Sequence, residues 1–116
     1  MDTFTIKTRT AASNTAVSVV DIAGLLDLKT IADFEDTLRG LFQKKQFKIV
    51  LNLERLTYIS IAGIAALLGG IKETRKNRGD IKIAGENSEF SKVVELLELE
   101  NVFPFFKNEE AAVRDF

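Results

Sequence analysis

Ser60 is the residue whose type and position most invite chemistry. It stands between an apolar run, Phe47 to Leu53 with Leu56 and Ile59 beyond it, and the apolar segment that starts at Ile61. A serine at such a junction does one of two things. Its hydroxyl caps a helix by accepting from free backbone N–H groups, or it is exposed and accepts a modifying group such as phosphate. Little else in the chain offers chemistry. There are no cysteines and no histidines. Disulfides, thiolate metal sites and a cysteine nucleophile are excluded, and so are the commonest general base and transition-metal ligand. No phosphate loop, Asp-x-Asp metal loop or nucleophile elbow is present. Gly69-Gly70 lies inside a helical segment and is not a Gly-rich phosphate cradle. No catalytic residue, metal ligand or cofactor is expected, and the chain is read as a binding protein and not an enzyme.

The bulk properties agree. The chain has 116 residues, 46% hydrophobic and 28% charged, with a net charge of -1. That is the composition of one soluble domain, residues 1–116, with enough apolar surface for a core. The charge balance gives no general attraction to nucleic acid or anionic membrane. The N-terminal MDTFTIKTRT is not a secretory signal, and the uncharged stretch Tyr58 to Ile71 is too short to span a bilayer. A cytoplasmic protein, without membrane insertion, is expected.

The elements that must position Ser60 are legible from period. Phe4, Ile6 and Thr8 alternate with polar residues, as in a half-exposed edge strand. Val17 to Ile22 is a second strand, stopped by Gly24, and the two make a hairpin. Leu28 to Phe42 places Ile31, Phe34, Leu38 and Leu41 on one helical stripe. Phe47 to Leu53 reads as a strand buried on both faces, with Glu54 and Arg55 in the turn after it. Ser60 caps a helix running to about Arg78, with Gly79 as its left-handed stop. Lys72, Arg75, Lys76 and Arg78 match the dipole at that end, or form a phosphate-binding patch. Ile81 and Ile83 make a strand that, by the crossover, is parallel to the one before it. Ser88 caps a third helix ended by Pro104. Phe105 and Phe106 make a short strand or anchor the tail, and Glu109 to Phe116 is a last helix.

The run Ile49-Val50-Leu51-Asn52-Leu53, followed by Ile59-Ser60-Ile61-Ala62-Gly63-Ile64, resembles the STAS family, and within it the single-domain bacterial anti-sigma factor antagonists. Three further segments are similar in the same order: Gly24-Leu25-Leu26-Asp27, Ile81-Lys82-Ile83-Ala84-Gly85, and Asn101-Val102-Phe103-Pro104-Phe105-Phe106. The resemblance implies an α/β, STAS-like (SpoIIAA-like) fold: a mixed four- to five-stranded sheet with about four helices, mostly on one face. It implies transcription regulation by protein–protein interaction. The partner would be an anti-sigma factor that is also a serine kinase, and binding it frees a sigma factor. Phosphorylation at the helix start breaks such complexes, and a phosphatase restores them. A monomer or weak dimer is expected.

The chain departs from the family pattern at one position. The family's modified serine stands two residues before the glycine, where this chain has Ile61. Control by phosphorylation is then lost, or moved to Ser60, or Ile61 is an introduced change. The expected partner-binding residues are Asp27, Ser60, Ile61, Ala62, Gly63, Ala66 and Gly69, with Ser60 the candidate phosphorylation site. Ile61 either extends the stripe of Ile64, Leu68 and Ile71 or is an exposed apolar anchor. Ala62, Ala66, Gly69 and Gly70 form a strip with little bulk, open to another backbone of this chain or of a partner. Asp27 either caps the first helix or borders the binding surface. The alternative role is a STAS interaction module in a stress-signalling or lipid-transport complex with no sigma factor.

Overall fold

The structure is a computed structural model and describes residues 4–85 and 87–116. Residues 1–3 of the N-terminal segment considered above lie outside the described residues. In chain order the elements are β1 (Thr5–Thr10), β2 (Ser18–Leu26), α1 (Ile31–Gln43), β3 (Lys48–Ile59), α2 (Ile61–Lys76), β4 (Asp80–Ala84), α3 (Ser88–Leu96), β5 (Phe105–Phe106) and α4 (Glu109–Arg114). The strands form one mixed sheet in the order β1-β2-β3-β4-β5. β1 is antiparallel to β2, as the hairpin requires, and every later pair is parallel.

Because the strand order advances one way, successive crossovers of one hand put their helices on one face. α1, α2 and α3 cover that face and α4 covers part of the other. The alternation of side chains divides the core accordingly. Val20, Ile22 and Leu26 of β2, Ile49, Leu51 and Leu53 of β3, and Ile81 and Ile83 of β4 pack against Phe34, Leu38, Ile64, Leu67, Phe90 and Val94 of the three helices. Val17, Val19, Val50 and Ala84 face the other way, onto Ala112 and Val113 of α4.

Several boundaries differ from the sequence expectation, each for a tertiary reason. Gly24 does not stop β2. It adopts φ 94° and the strand continues to Leu26 through a register shift. β3 likewise continues past Leu53 to Ile59, because the extended end of β2 offers partners: Ala23 lies opposite Arg55 and Leu26 opposite Ile59. Glu54 and Arg55 are therefore exposed strand residues and not a turn. α2 ends at Lys76, and Arg78, not Gly79, takes the left-handed conformation with φ 66°. Gly79 is needed for another reason: a side chain there would run into the Phe47 carbonyl. α3 is capped by Asn87, whose side chain accepts from Phe90 N, and not by Ser88.

Candidate functional site

The ends of β2 and β3 bring Asp27 and Ser60 together. The Ser60 N–H donates to the Leu26 carbonyl at 3.0 Å, one residue before Asp27. Ser60 has extended backbone angles and its Oγ accepts from Gly63 N at 3.1 Å, the geometry of an N-cap. Its side chain is only partly buried. The first turn of α2 carries no acidic residue, so the positive end of the helix dipole is uncompensated by its own sequence.

Asp27 does not cap α1. The N-cap position is Thr30, which makes no side-chain cap bond. Asp27 instead builds the turn that leads in. Its Oδ1 accepts from Lys29 N at 3.0 Å, its carbonyl accepts from Ile31 N at 2.9 Å, and its own N–H donates to Thr30 Oγ1 at 3.0 Å. Thr30 Oγ1 in turn donates to the Leu25 carbonyl at 2.7 Å. The turn is thereby pinned to the end of β2, beside Ser60.

Apolar side chains are left in solvent around this pair. Ile61 is 69% exposed, Leu28 81% and Tyr58 47%. Leu28 follows Asp27, Ile61 follows Ser60, and Tyr58 precedes Ser60 by two. Among the described residues only five large apolar side chains are this exposed, and three of them belong here. Ile61 therefore does not extend the core stripe, which consists of Ile64, Leu67 and Ile71. Neither Leu28 nor Tyr58 stood out in the sequence, where Leu28 only opened the first helical segment and Tyr58 only opened the uncharged stretch.

Gly63 and the strip of Ala62, Ala66, Gly69 and Gly70 divide between internal packing and open surface. Gly63 is buried, and a Cβ on it would lie 2.7 Å from the Leu26 carbonyl. It lets α2 start close against the end of β2, so it seats the site and presents no contact surface of its own. Gly70 is also internal, since its Cβ position is 2.7 Å from Leu38 of α1. This close approach of α1 to α2 accounts for one of the two glycines. Gly69 has open space around it. With Ala65, Ala66, Leu38 and Phe42 it lines a shallow groove of about 310 Å³ between the two helices, edged by Glu35, Arg39 and Glu73. Ala62 and Ala66 are partly buried.

The opposite face of the sheet holds charges that sequence reasoning missed. Arg9 donates to both Asp21 (2.8 Å) and Glu109 (2.9 Å), tying β1, β2 and α4 together. Burial pushes the Asp21 carboxyl up, but the Arg9 guanidinium and the Asn52 amide outweigh it and hold the carboxyl below its ordinary value. Lys82 of β4 is buried, with its Nζ on the Asp115 carboxylate at 2.5 Å and 4.3 Å from the centre of the Phe116 ring. Strand alternation flags both faces of β4, but no local signal names a partner 33 residues away. Among the described residues no three carboxylates cluster as a metal site would need, and no helix is long and apolar enough to cross a membrane.

Three exposed apolar side chains thus stand around a helix-capping serine, on a mixed sheet with three helices on one face. The STAS domain family model matches residues 8–112, and the chain belongs to that family. Among curated proteins, the anti-sigma-B factor antagonist of Staphylococcus aureus is 25% identical over 83 residues, covering 72% of this chain and 77% of the relative. Among solved structures, an anti-sigma factor antagonist from Mycobacterium paratuberculosis superposes with a TM-score of 0.85 at 18% identity, covering 97% of this chain and 93% of that one. The Bacillus cell fate determinant SpoIIAA in its phosphorylated form superposes with a TM-score of 0.70 at 21% identity, covering 98% and 100%. The two structural likenesses establish the STAS architecture expected from the sequence: five strands and four helices, three of them on one face.

Proposed function

We propose that this chain is an anti-sigma factor antagonist, a regulator that acts by binding and performs no catalysis. The observation that carries the proposal is the exposed triad of Leu28, Tyr58 and Ile61 around Ser60 and Asp27. Exposed apolar side chains grouped at one end of a sheet favour a protein partner, because covering them releases water from apolar surface. The names of the relatives supply the class of partner, an anti-sigma factor. Ile61 is the apolar anchor, Asp27 and Ser60 are polar contacts beside it, and Ala62 and Ala66, with Gly69 further along, extend the surface down α2. Gly63 contributes by seating the helix.

Ser60 is also the hydroxyl at which this surface can be charged. A phosphate there adds nearly two negative charges next to Asp27 and in the middle of the apolar triad. The chain itself tolerates the anion, because the N–H groups of the first turn of α2 point toward it. A partner surface shaped to cover Ile61 and Tyr58 does not, since it would have to desolvate the charge. A serine kinase as the partner, and a phosphatase to reverse the step, fit this arrangement.

The test is capture of partners from the native cells with the tagged chain, identifying them by mass spectrometry, alongside two variants. Ser60→Asp keeps an N-cap while adding charge, and Ile61→Glu changes an exposed position, so both are expected to fold with stability close to the parent. An ATP-binding anti-sigma factor captured by the parent and lost with both variants supports the proposal. Capture of a transport or stress-assembly component instead would assign the STAS domain to the alternative role.

A further inference from the structure

Two basic segments that are far apart in the sequence meet at the end of the sheet opposite Ser60. One is Lys44, Lys45 and Lys48, where α1 turns into β3. The other is Lys72, Arg75, Lys76 and Arg78, where α2 turns into β4. β3 and β4 are parallel and begin in register, with Lys48 opposite Asp80. The two turns touch, for the Asp80 N–H donates to the Phe47 carbonyl at 3.0 Å. They are also built alike. Gln46 N donates to the Leu41 carbonyl at 3.0 Å in one, and Gly79 N to the Thr74 carbonyl at 2.7 Å in the other. The left-handed residue of each is a cation, Lys45 at φ 60° and Arg78 at φ 66°, where glycine relieves the strain.

These seven residues are nearly half of the 16 Lys and Arg in the chain, and all seven are exposed. Arg75 is held by Asp80 and by the Val102 carbonyl, each at 3.0 Å. The other six make no ion pair among the described residues. Among the described residues the acidic side chains within these two segments are Glu73 of α2 and Asp80, with Glu98 and Glu100 in the loop before Val102, whose carbonyl Arg75 reaches. Matching of the helix dipoles explains cations in the last turn of a helix, but not Lys48, which lies in a strand.

We propose that this pole adsorbs the chain to the anionic headgroups of a phospholipid surface, leaving the Ser60 end facing away from it. The chemistry favours lipid over the other polyanions. Five of the seven cations are lysines, which act as point charges on a diffuse anionic surface and do not form the planar forks that read one phosphate. Neither basic segment carries an exposed aromatic ring for stacking bases, since the partly buried Phe47 is stacked on Phe42. Neither segment contributes an exposed large apolar side chain, the usual anchor of a stable protein interface. The other end of the sheet carries Asp27 and the first-turn Asp33 of α1 with the single cation Lys29 between them, against seven cations here, so an anionic surface orients the molecule although its net charge is only -1.

The experiment is co-sedimentation of the whole chain with phosphatidylcholine vesicles and with vesicles containing about one quarter phosphatidylglycerol, at about 0.1 M and about 0.5 M salt. Binding is expected only with phosphatidylglycerol and only at the lower salt. The variant Lys45→Gln/Lys48→Gln/Lys76→Gln/Arg78→Gln should partition roughly six-hundredfold less, at roughly fivefold per cation. The variant Lys7→Gln/Lys29→Gln/Lys92→Gln/Lys107→Gln removes the same charge elsewhere and should stay within about threefold of the parent on the same estimate. If circular dichroism shows the first variant misfolded, Lys48→Gln and Lys76→Gln alone should each cost roughly fivefold. No binding to phosphatidylglycerol vesicles would overturn the proposal. Equal losses in both four-residue variants would too, and so would binding of an RNA or DNA oligonucleotide through these residues in place of vesicles.

Discussion

At the scale of single residues, the two sides of α2 ask different things of the same residue type. Gly63 and Gly70 give up side chains so that β2 and α1 can come close, while Gly69 gives up one for no packing reason. Replacing Gly69 with alanine should therefore stabilise the chain by ~0.5–1 kcal/mol, the usual gain in an exposed helix. Gly63→Ala should instead cost about 1–3 kcal/mol, because the methyl meets a backbone carbonyl that cannot rotate away. Urea unfolding of the two variants checks both signs. If Gly69→Ala weakens partner capture while it stabilises the fold, the glycine is kept for the surface it leaves bare. Ser60 was legible as a cap because its neighbours change from strand to helix period there. Ile61 was not legible as an exposed residue, because its spacing from Ile64 and Ile71 fits the buried stripe equally well.

At the scale of elements, the strands carry the main lesson. Local period identified β3 as central but ended it at Leu53, since Glu54 and Arg55 look like turn residues. Whether a charged pair sits in a strand depends on whether a neighbour supplies hydrogen bonds, and β2 does so to Leu26. The clamp on the far face is an element-level device as well, joining β1, β2 and α4 through Arg9. Asp21 has its pKa lowered from 3.8. Its contribution to stability is therefore complete above about pH 4 and is lost as the pH falls through the lowered folded-state value. Asp21→Asn should lack that part of the acid limb. A plot of urea midpoint against pH, from about 6 down to about 2, should fall less steeply for the variant than for the parent over the lowest part of the range.

At the scale of the whole molecule, α4 is a cover on an otherwise open sheet face. It is fastened by Arg9 to Glu109 at its start and by Lys82 to Asp115 at its end. Beneath it lie Val17, Val19, Val50 and Ala84. Ending the chain after Asn108 should destabilise it by about 3 kcal/mol, since the burial of Val113 and Ala112 and the cover over those valines are lost together. The same truncation leaves Lys82 without its carboxylate and uncovers an apolar patch. Analytical ultracentrifugation should then show concentration-dependent association absent from the parent.

The sequence by itself determined the alternation of strands and helices up to the third helix and the place of Ser60, while the STAS architecture came through the resemblance and Phe105-Phe106 stayed open between a strand and a tail anchor. The alternation and the place of Ser60 follow from local periods, caps and breakers, which act over a few residues. It also narrowed the chemistry, because a chain without histidine or cysteine has few ways to be a catalyst. Only the tertiary structure decided which residues of that site face solvent, that Gly70 is spent on helix packing while Gly69 is not, and that two basic turns from different parts of the chain share one pole. Each of these depends on the register of parallel strands joined by helices. Parallel pairing brings together residues more than 25 positions apart, such as Lys48 and Asp80, and no local pattern records which ones will meet.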